Sequence, residues 1–148
     1  MVSAGGSAKQ ARDRKFQAIL PVFGKILNIE KSTFETAVKS IKLQDMIKAL
    51  GCGIGNTFNI DKLRFHRIIL MSDADTDGGH IQCLHMANIF RTMKPIIERG
   101  YLYAACPPLY RAIKKKGKTN ETHYFYNDEE LSKFNTEGYA ISRFKGLA

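Results

Sequence analysis

Arg67-Ile68-Ile69-Leu70-Met71-Ser72-Asp73-Ala74-Asp75-Thr76-Asp77-Gly78-Gly79-His80 is the stretch on which the fold turns. Ile68 to Met71 form an unbroken apolar run, as in a strand buried on both faces of a parallel sheet. The run leads straight into three aspartates at alternate positions, Asp73, Asp75 and Asp77. Alternate residues of an extended chain point the same way, so three carboxylates are expected to converge at the strand's carboxyl end. Crowded carboxylates raise one another's pKa unless a cation neutralises them, and a hard divalent cation with oxygen ligands does so most simply. Magnesium takes one or two carboxylates together with phosphate oxygens, and manganese can replace it. Asp73, Asp75 and Asp77 are therefore the candidate metal ligands and catalytic residues.

Downstream, Met86, Phe90, Met93 and Ile97 recur at three-to-four spacing, which predicts an amphipathic helix over 79–99 that is kinked at Pro95 and stopped by Gly100. Tyr101 to Cys106 reads as a second strand. Strand, helix and strand make a parallel crossover of the doubly wound α/β kind, with its ligand at the carboxyl edge of the sheet.

Upstream, a small-residue stretch from Ser3 to Ser7 runs into Lys9, Arg12, Arg14 and Lys15, a Gly-rich turn and helix start able to cradle phosphate. Phe16 to Leu20 reads as a strand, followed by a loop punctuated by Pro21 and Gly24 that carries Lys25 and Asn28. Helices are expected over 31–40 and 41–50, the second with Leu43, Met46, Ile47 and Leu50 on one face. Gly51-Cys52-Gly53-Ile54-Gly55 follows a helix rather than a strand, so it reads as a helix stop and turn, not a dinucleotide fingerprint.

Beyond Pro107-Pro108 the pattern changes to short strands, 109–114 and 123–126, joined by a basic loop from Lys114 to Lys118 that reads as a solvated turn. Asn127 and Asp128 cap a short helix reaching Phe134, and 139–145 is a last strand. One domain is expected, with residues 1–112 as its core and 113–148 as a small C-terminal α+β extension.

A formal charge of +9 favours a polyanionic partner, nucleic acid first. An apolar share of 44% suffices for a packed core and argues against disorder. Cys52, Cys83 and Cys106 form no C-x-x-C pair, so they read as reduced thiols. With no apolar run near the about 20 residues of a membrane span and no signal-like start, a cytoplasmic protein without membrane contact is expected.

Three alternatives compete for the acidic turn. An EF-hand shares D-x-D-x-D-G, but its bidentate glutamate belongs where Leu84 stands. A haloacid-dehalogenase-like phosphohydrolase would use Asp73 as nucleophile beside Asp75, but it has Thr or Val where this chain has Asp77. A solvated acidic turn without ligand fits poorly after a buried strand in a basic protein.

Taken in order, Ser3-Ala4-Gly5-Gly6-Ser7-Ala8-Lys9-Gln10, Arg12-Asp13-Arg14, Gln17-Ala18-Ile19-Leu20-Pro21, Gly24-Lys25-Ile26-Leu27-Asn28, Asp73 through Ile81, Pro107-Pro108-Leu109-Tyr110 and Lys145-Gly146-Leu147 resemble successive signatures of bacterial type IIA DNA topoisomerase B subunits, those of gyrase and topoisomerase IV. The resemblance implies a TOPRIM, Rossmann-like parallel sheet flanked by helices. It also implies a magnesium-dependent role in breaking and resealing double-stranded DNA, with the attacking tyrosine on an A subunit of an A2B2 heterotetramer and ATP bound only by a separate ATPase domain. Asp73 would be shared between two metal positions, Asp75 would hold the second and Asp77 would support them. Lys25 and Asn28 match DNA-contacting positions; His80 and Lys145 are weaker DNA candidates.

The resemblance breaks at Met1-Val2, where the family has a Glu-Gly-Asp run whose glutamate completes the first metal site, so this chain alone is expected to bind metal weakly and to cleave nothing. It breaks again at Phe23, where the family carries a basic residue. Ile26 to Lys31 and Asn59 to His66 look more like gyrase, whereas Thr76 and Gln82 look more like topoisomerase IV; the balance leans to gyrase.

Overall fold

The computed structural model of this chain describes residues 5–22, 24–26, 28, 33–117 and 119–144. Two small sheets and six helices make up its described part, an α/β arrangement. Strand β1 (Ile68–Leu70) pairs in parallel with β2 (Leu102–Ala104), Ile68 lying beside Leu102 and Leu70 beside Ala104. The connection between them carries helices α4 (Thr76–Thr92) and α5 (Lys94–Glu98), which is the crossover read from the sequence.

The expected single helix over 79–99 is two helices, and it starts earlier. Asp75 caps α4, which draws Thr76, Asp77 and both glycines into the first turns. At the other end Pro95 stands at the start of α5, and Met93 leaves helical geometry at φ −144°. Proline has no N–H and its ring meets the carbonyl four residues back, so the chain restarts rather than bends.

Helix α3 (Ile41–Leu50) buries Leu43, Met46 and Leu50, the face that its spacing predicts. It ends at Gly51, whose φ of 76° is the left-handed geometry of a helix C-cap, with its N–H donating to the Ile47 carbonyl. The Gly-rich run is thus the helix stop expected. These α3 residues meet Cys52, Leu63, Ile89, Met93 and Ile96 in the main core, and Ile68 and Leu102 pack against its edge.

β1 differs from the sequence reading in one respect: Ile69 and Met71 are exposed, so the described structure covers one face of this sheet and not both. The strand expected over 16–20 is absent as well. Asp13 ties this segment into a turn instead, its carboxylate accepting from the Lys15 N–H and its carbonyl from the Gln17 N–H. Short α1 (Gly6–Ala11) and α2 (Phe34–Val38) complete the amino-terminal half; the start of the helix expected over 31–40 lies outside the described residues.

The second sheet is antiparallel in the order β4 (Thr119–Phe125), β3 (Tyr110–Lys116), β5 (Ala140–Arg143). Lys114 to Lys116 belong to β3 rather than to a loop, and the hairpin turns at Gly117. Because β3 runs continuously through residue 112, a boundary drawn there would cut this sheet; the strand begins just after Pro107-Pro108. Asn127 caps α6 (Asp128–Ser132), which ends short of Phe134.

Ile89 is fully buried in the main core. Ile89→Ala is expected to cost about 2–5 kcal/mol, the scale of a large-to-small core substitution. Urea unfolding followed by circular dichroism checks this.

Candidate metal and nucleic-acid site

The carboxyl end of β1 runs within a few residues into the amino terminus of the 17-residue α4, and the acidic turn is what joins them. Asp75 is extended (φ −124°, ψ 176°) and its Oδ1 accepts from the Gly78 N–H at 2.7 Å. A carboxylate at this position caps an orphan amide and sits at the positive end of the helix dipole. Gly78 is buried, and a Cβ built on it would overlap the carbonyl oxygen of Asp73. Glycine at 78 is what allows the backbone of Asp73 to press onto the first helical turn.

This junction corrects the expected convergence of three carboxylates. Asp73 leaves the strand, Asp75 is the cap and Asp77 lies in the first turn of α4, so the side-chain period changes inside the motif. Among the described residues no group of three His, Cys, Asp or Glu side chains is arranged to hold a metal ion. The aspartates stand exposed along one turn instead.

Asp77 meets a second predicted site residue. Lys25 Nζ lies 2.9 Å from Asp77 Oδ1, although 52 positions separate them (77 − 25). The Lys25 hydrogen bond, and then its charge, hold the Asp77 carboxyl below the ordinary carboxylate range, with a smaller pull from His80 and a partial opposition from desolvation. Lys25 is held in turn by Lys42, whose Nζ donates to the Lys25 carbonyl at 3.1 Å. That bond draws the Gly24-Lys25 loop to α3, an anchor that sequence reading missed.

His80 is exposed on α4 and Asn28 is partly buried in the loop after Lys25. Lys145 lies outside the described residues, as does Phe23. Gln82, one helical turn beyond the acidic motif, donates long hydrogen bonds to the Leu70 carbonyl (3.5 Å) and the Ala105 carbonyl (3.4 Å), bridging the ends of both parallel strands. His85, three residues further on, is buried and its Nδ1 has no partner among the described residues. Burial and then the Lys42 charge push its pKa down, which keeps it neutral.

The side-chain donors of residues 73–77 are all oxygens, those of the three carboxylates and the Thr76 hydroxyl, which is a hard-cation set. Asp73 and Asp75 stand exposed at the mouth of the turn. Two carboxylates completed by phosphate and solvent oxygens is the pattern magnesium accepts, so these residues fit a divalent cation shared with a phosphate.

The chain belongs to the Toprim domain family, whose model matches residues 2–105. Its relatives narrow the class. The B subunit of DNA topoisomerase 4 from Staphylococcus aureus is 47% identical over 148 residues, 98% of this chain and 22% of that protein. The B subunit of DNA gyrase from Archaeoglobus fulgidus is 52% identical over 147 residues, 98% of this chain and 23% of its own length. This chain thus spans less than a quarter of the curated relatives it matches. The phosphohydrolase alternative loses its ground here, because the match is to another family over most of the chain. No helix in the described part is long and apolar enough to cross a membrane.

Two measurements separate the structural and chemical roles of the turn. Asp75→Asn keeps a good cap and should leave thermal stability within about 0.5 kcal/mol, whereas Asp75→Ala should cost about 1 kcal/mol. Differential scanning calorimetry of both variants reads the difference. For Asp77, a carboxyl titration by NMR should find a midpoint below the ordinary aspartate value, returning toward it in Lys25→Met. The linkage sign follows: a depressed folded-state pKa gives stability that is present above the unfolded-state pKa and is lost as the pH falls through the folded one.

Proposed function

We propose that this chain is the cation- and DNA-handling part of a type IIA DNA topoisomerase B subunit, working in the cytoplasm with an A subunit that carries the attacking tyrosine. What supports the reading above all is one juxtaposition: Lys25 and the acidic turn meet at the carboxyl end of β1, in a Toprim-family chain. Topoisomerase IV and gyrase B subunits stand at comparable identity, so the proposal rests on the activity they share.

In this reading Asp73 and Asp75 hold magnesium, or manganese in its place, and Asp77 supports them through the Lys25 pair. The cation would orient the scissile phosphate and offset charge on the leaving oxygen. The chain's own residues do the rest. Lys25, pinned by Lys42, presents a point charge to the DNA backbone, and Asn28 offers a hydrogen bond beside it. Asp75 stiffens the turn through its cap, so that the carboxylates keep one geometry as DNA arrives and leaves. His80 and Lys145 add contacts to the backbone. Double-stranded DNA, the A subunit in an A2B2 assembly and an ATPase domain elsewhere in the longer protein complete the enzyme. Net charge favours that polyanionic partner at every step.

Asp75→Asn is the variant of choice, because it preserves the cap while removing the charge. In the complete B subunit reconstituted with its A subunit, it should lower magnesium-dependent plasmid cleavage by about a hundredfold, which corresponds to about 2.7 kcal/mol of lost charge stabilisation. Cleavage at the unaltered rate in both Asp75→Asn and Asp73→Ala would reduce the chain to a bridging module without a chemical role.

A further inference from the structure

The three-stranded sheet has two unlike faces. Arg111 lies beside Tyr124 and Ser142, and Ala112 beside His123 and Ile141, so successive positions alternate between the faces. Ala112 and Phe125 are buried on one side, where the Phe134 ring packs on His123 and Phe125. Glu121, the carboxylate of these strands, is on that side too, engaged by His123 and Tyr139.

The other side is open and carries Arg111, Ile113, Lys115, Tyr124 and Phe144, with the exposed Tyr126 just past the end of β4. Tyr124 and Tyr126 are 53% and 56% exposed, too wet for ordinary core-forming aromatics. The Tyr124 and Phe144 rings lie nearly parallel, 17° apart with centroids at 6.4 Å. The Arg111 guanidinium carbon sits 5.6 Å over the Phe144 ring, and its Nε is buried with no hydrogen-bond partner among the described residues. No Asp or Glu of β3, β4 or β5 stands on this face, so Arg111 and Lys115 meet no carboxylate of these strands there.

Exposed rings and uncompensated cations in one plane suit a ligand that is flat and anionic by turns. Bases supply π-faces and phosphates supply charge, and a sheet that presents aromatics is a known way of taking both. Tyr126 follows Tyr124 by two positions, one residue past the end of β4, which puts them about 7 Å apart, a span that an unstacked nucleotide step can match. A duplex hides its base faces inside the stack, so the strand must be single. We propose that the open face of β4, β3 and β5 binds single-stranded DNA, with one base stacked on Tyr124, the next reaching the exposed Tyr126 ring past the end of β4, and phosphates on Arg111 and Lys115. The choice of DNA rests on the function proposed above; the stacking site does not, and it lies on different residues from the acidic turn.

The chain has six tyrosines and no tryptophan, so its intrinsic fluorescence reports the rings directly. The experiment titrates the 148-residue chain, without divalent metal, with oligo(dT), oligo(U) and an abasic oligonucleotide of equal length and charge. Oligo(dT) should quench tyrosine emission and bind about tenfold or more tightly than the abasic strand, the scale of one stacked base. Tyr124→Ala should remove that advantage and leave abasic binding unchanged, while Tyr124→Phe, which keeps the ring, should retain it. Equal affinity for the abasic strand, an unaffected Tyr124→Ala or an equal loss in Tyr124→Phe would overturn the site. Tighter binding of oligo(U) would overturn the choice of DNA. Binding by this chain but not by a longer protein containing it would make a protein segment the occupant. Since no metal and no A subunit take part, failure here leaves the acidic-turn reading standing, and failure of the cleavage test leaves this one.

Discussion

The carbonyl of Asp73 occupies the space where a side chain on residue 78 would begin, and the acidic site is built on that contact. A strand that ends against a helix usually needs a loop to turn in. Here the turn is so tight that the carbonyl of Asp73, three residues past β1, packs on the helix's first turn, and only a missing Cβ permits it. The Asp75 cap then fixes where α4 begins. Shift that start by one residue and the face presenting Asp77 rotates by about 100°, breaking its approach to Lys25. The position of the distant Gly24-Lys25 loop, of Gln82 over the strand ends and of Ile89 in the core all follow from this register.

Within the turn the three carboxylates are not equivalent, although they look so in the sequence. Asp75 has a structural task in one of its oxygens, and Asp77 is held by a lysine. The Lys25 pair is exposed on both sides, half or more of each side chain being open to solvent, so it contributes little to folding. Its interest is positional. It brings a cation from one segment and an anion from another to one point, which a stability argument would not need.

Sequence reading succeeded where a local signal was strong and self-contained. Leu43, Met46 and Leu50 lie on one helical face because a 3.6 period leaves them nowhere else to go, and Gly51 marked the stop. The β1 to β2 crossover followed from an apolar run, an amphipathic stretch and a second run. It failed where one residue serves two elements. The period-two rule applied to Asp73, Asp75 and Asp77 assumed a strand that had already ended, because a capping aspartate and a ligand aspartate are identical in a string of letters. Phe16 to Leu20 had strand composition, but Asp13 and Gln17 lock a turn at its start. Lys42 escaped notice for a different reason: its contact is with a backbone carbonyl seventeen residues away, and backbone partners leave no trace in side-chain pattern. The family resemblance, in contrast, was carried by motifs spread over the whole chain, and the Toprim match covers the stretch that contains the acidic turn.

Electrostatics gives the proposed site its internal logic. A run of carboxylates is a poor place to bring a polyanion, since like charges at a few ångströms cost several kcal/mol in a partly desolvated setting. The +9 charge of the chain would draw DNA toward the molecule but would not remove this local repulsion, because screening confines each charge to within about 10 Å. Positive charge must therefore stand between the aspartates and the backbone. Lys25 provides one unit of it on the protein's own account, and it already sits on Asp77. A single ammonium cannot also serve Asp73 and Asp75, which lie earlier in the turn. A small divalent cation can, and it accepts phosphate oxygens on its remaining positions. In the proposed site, the same carboxylates that would repel DNA in isolation would thus become, with a cation between, the means of holding one phosphate at one place.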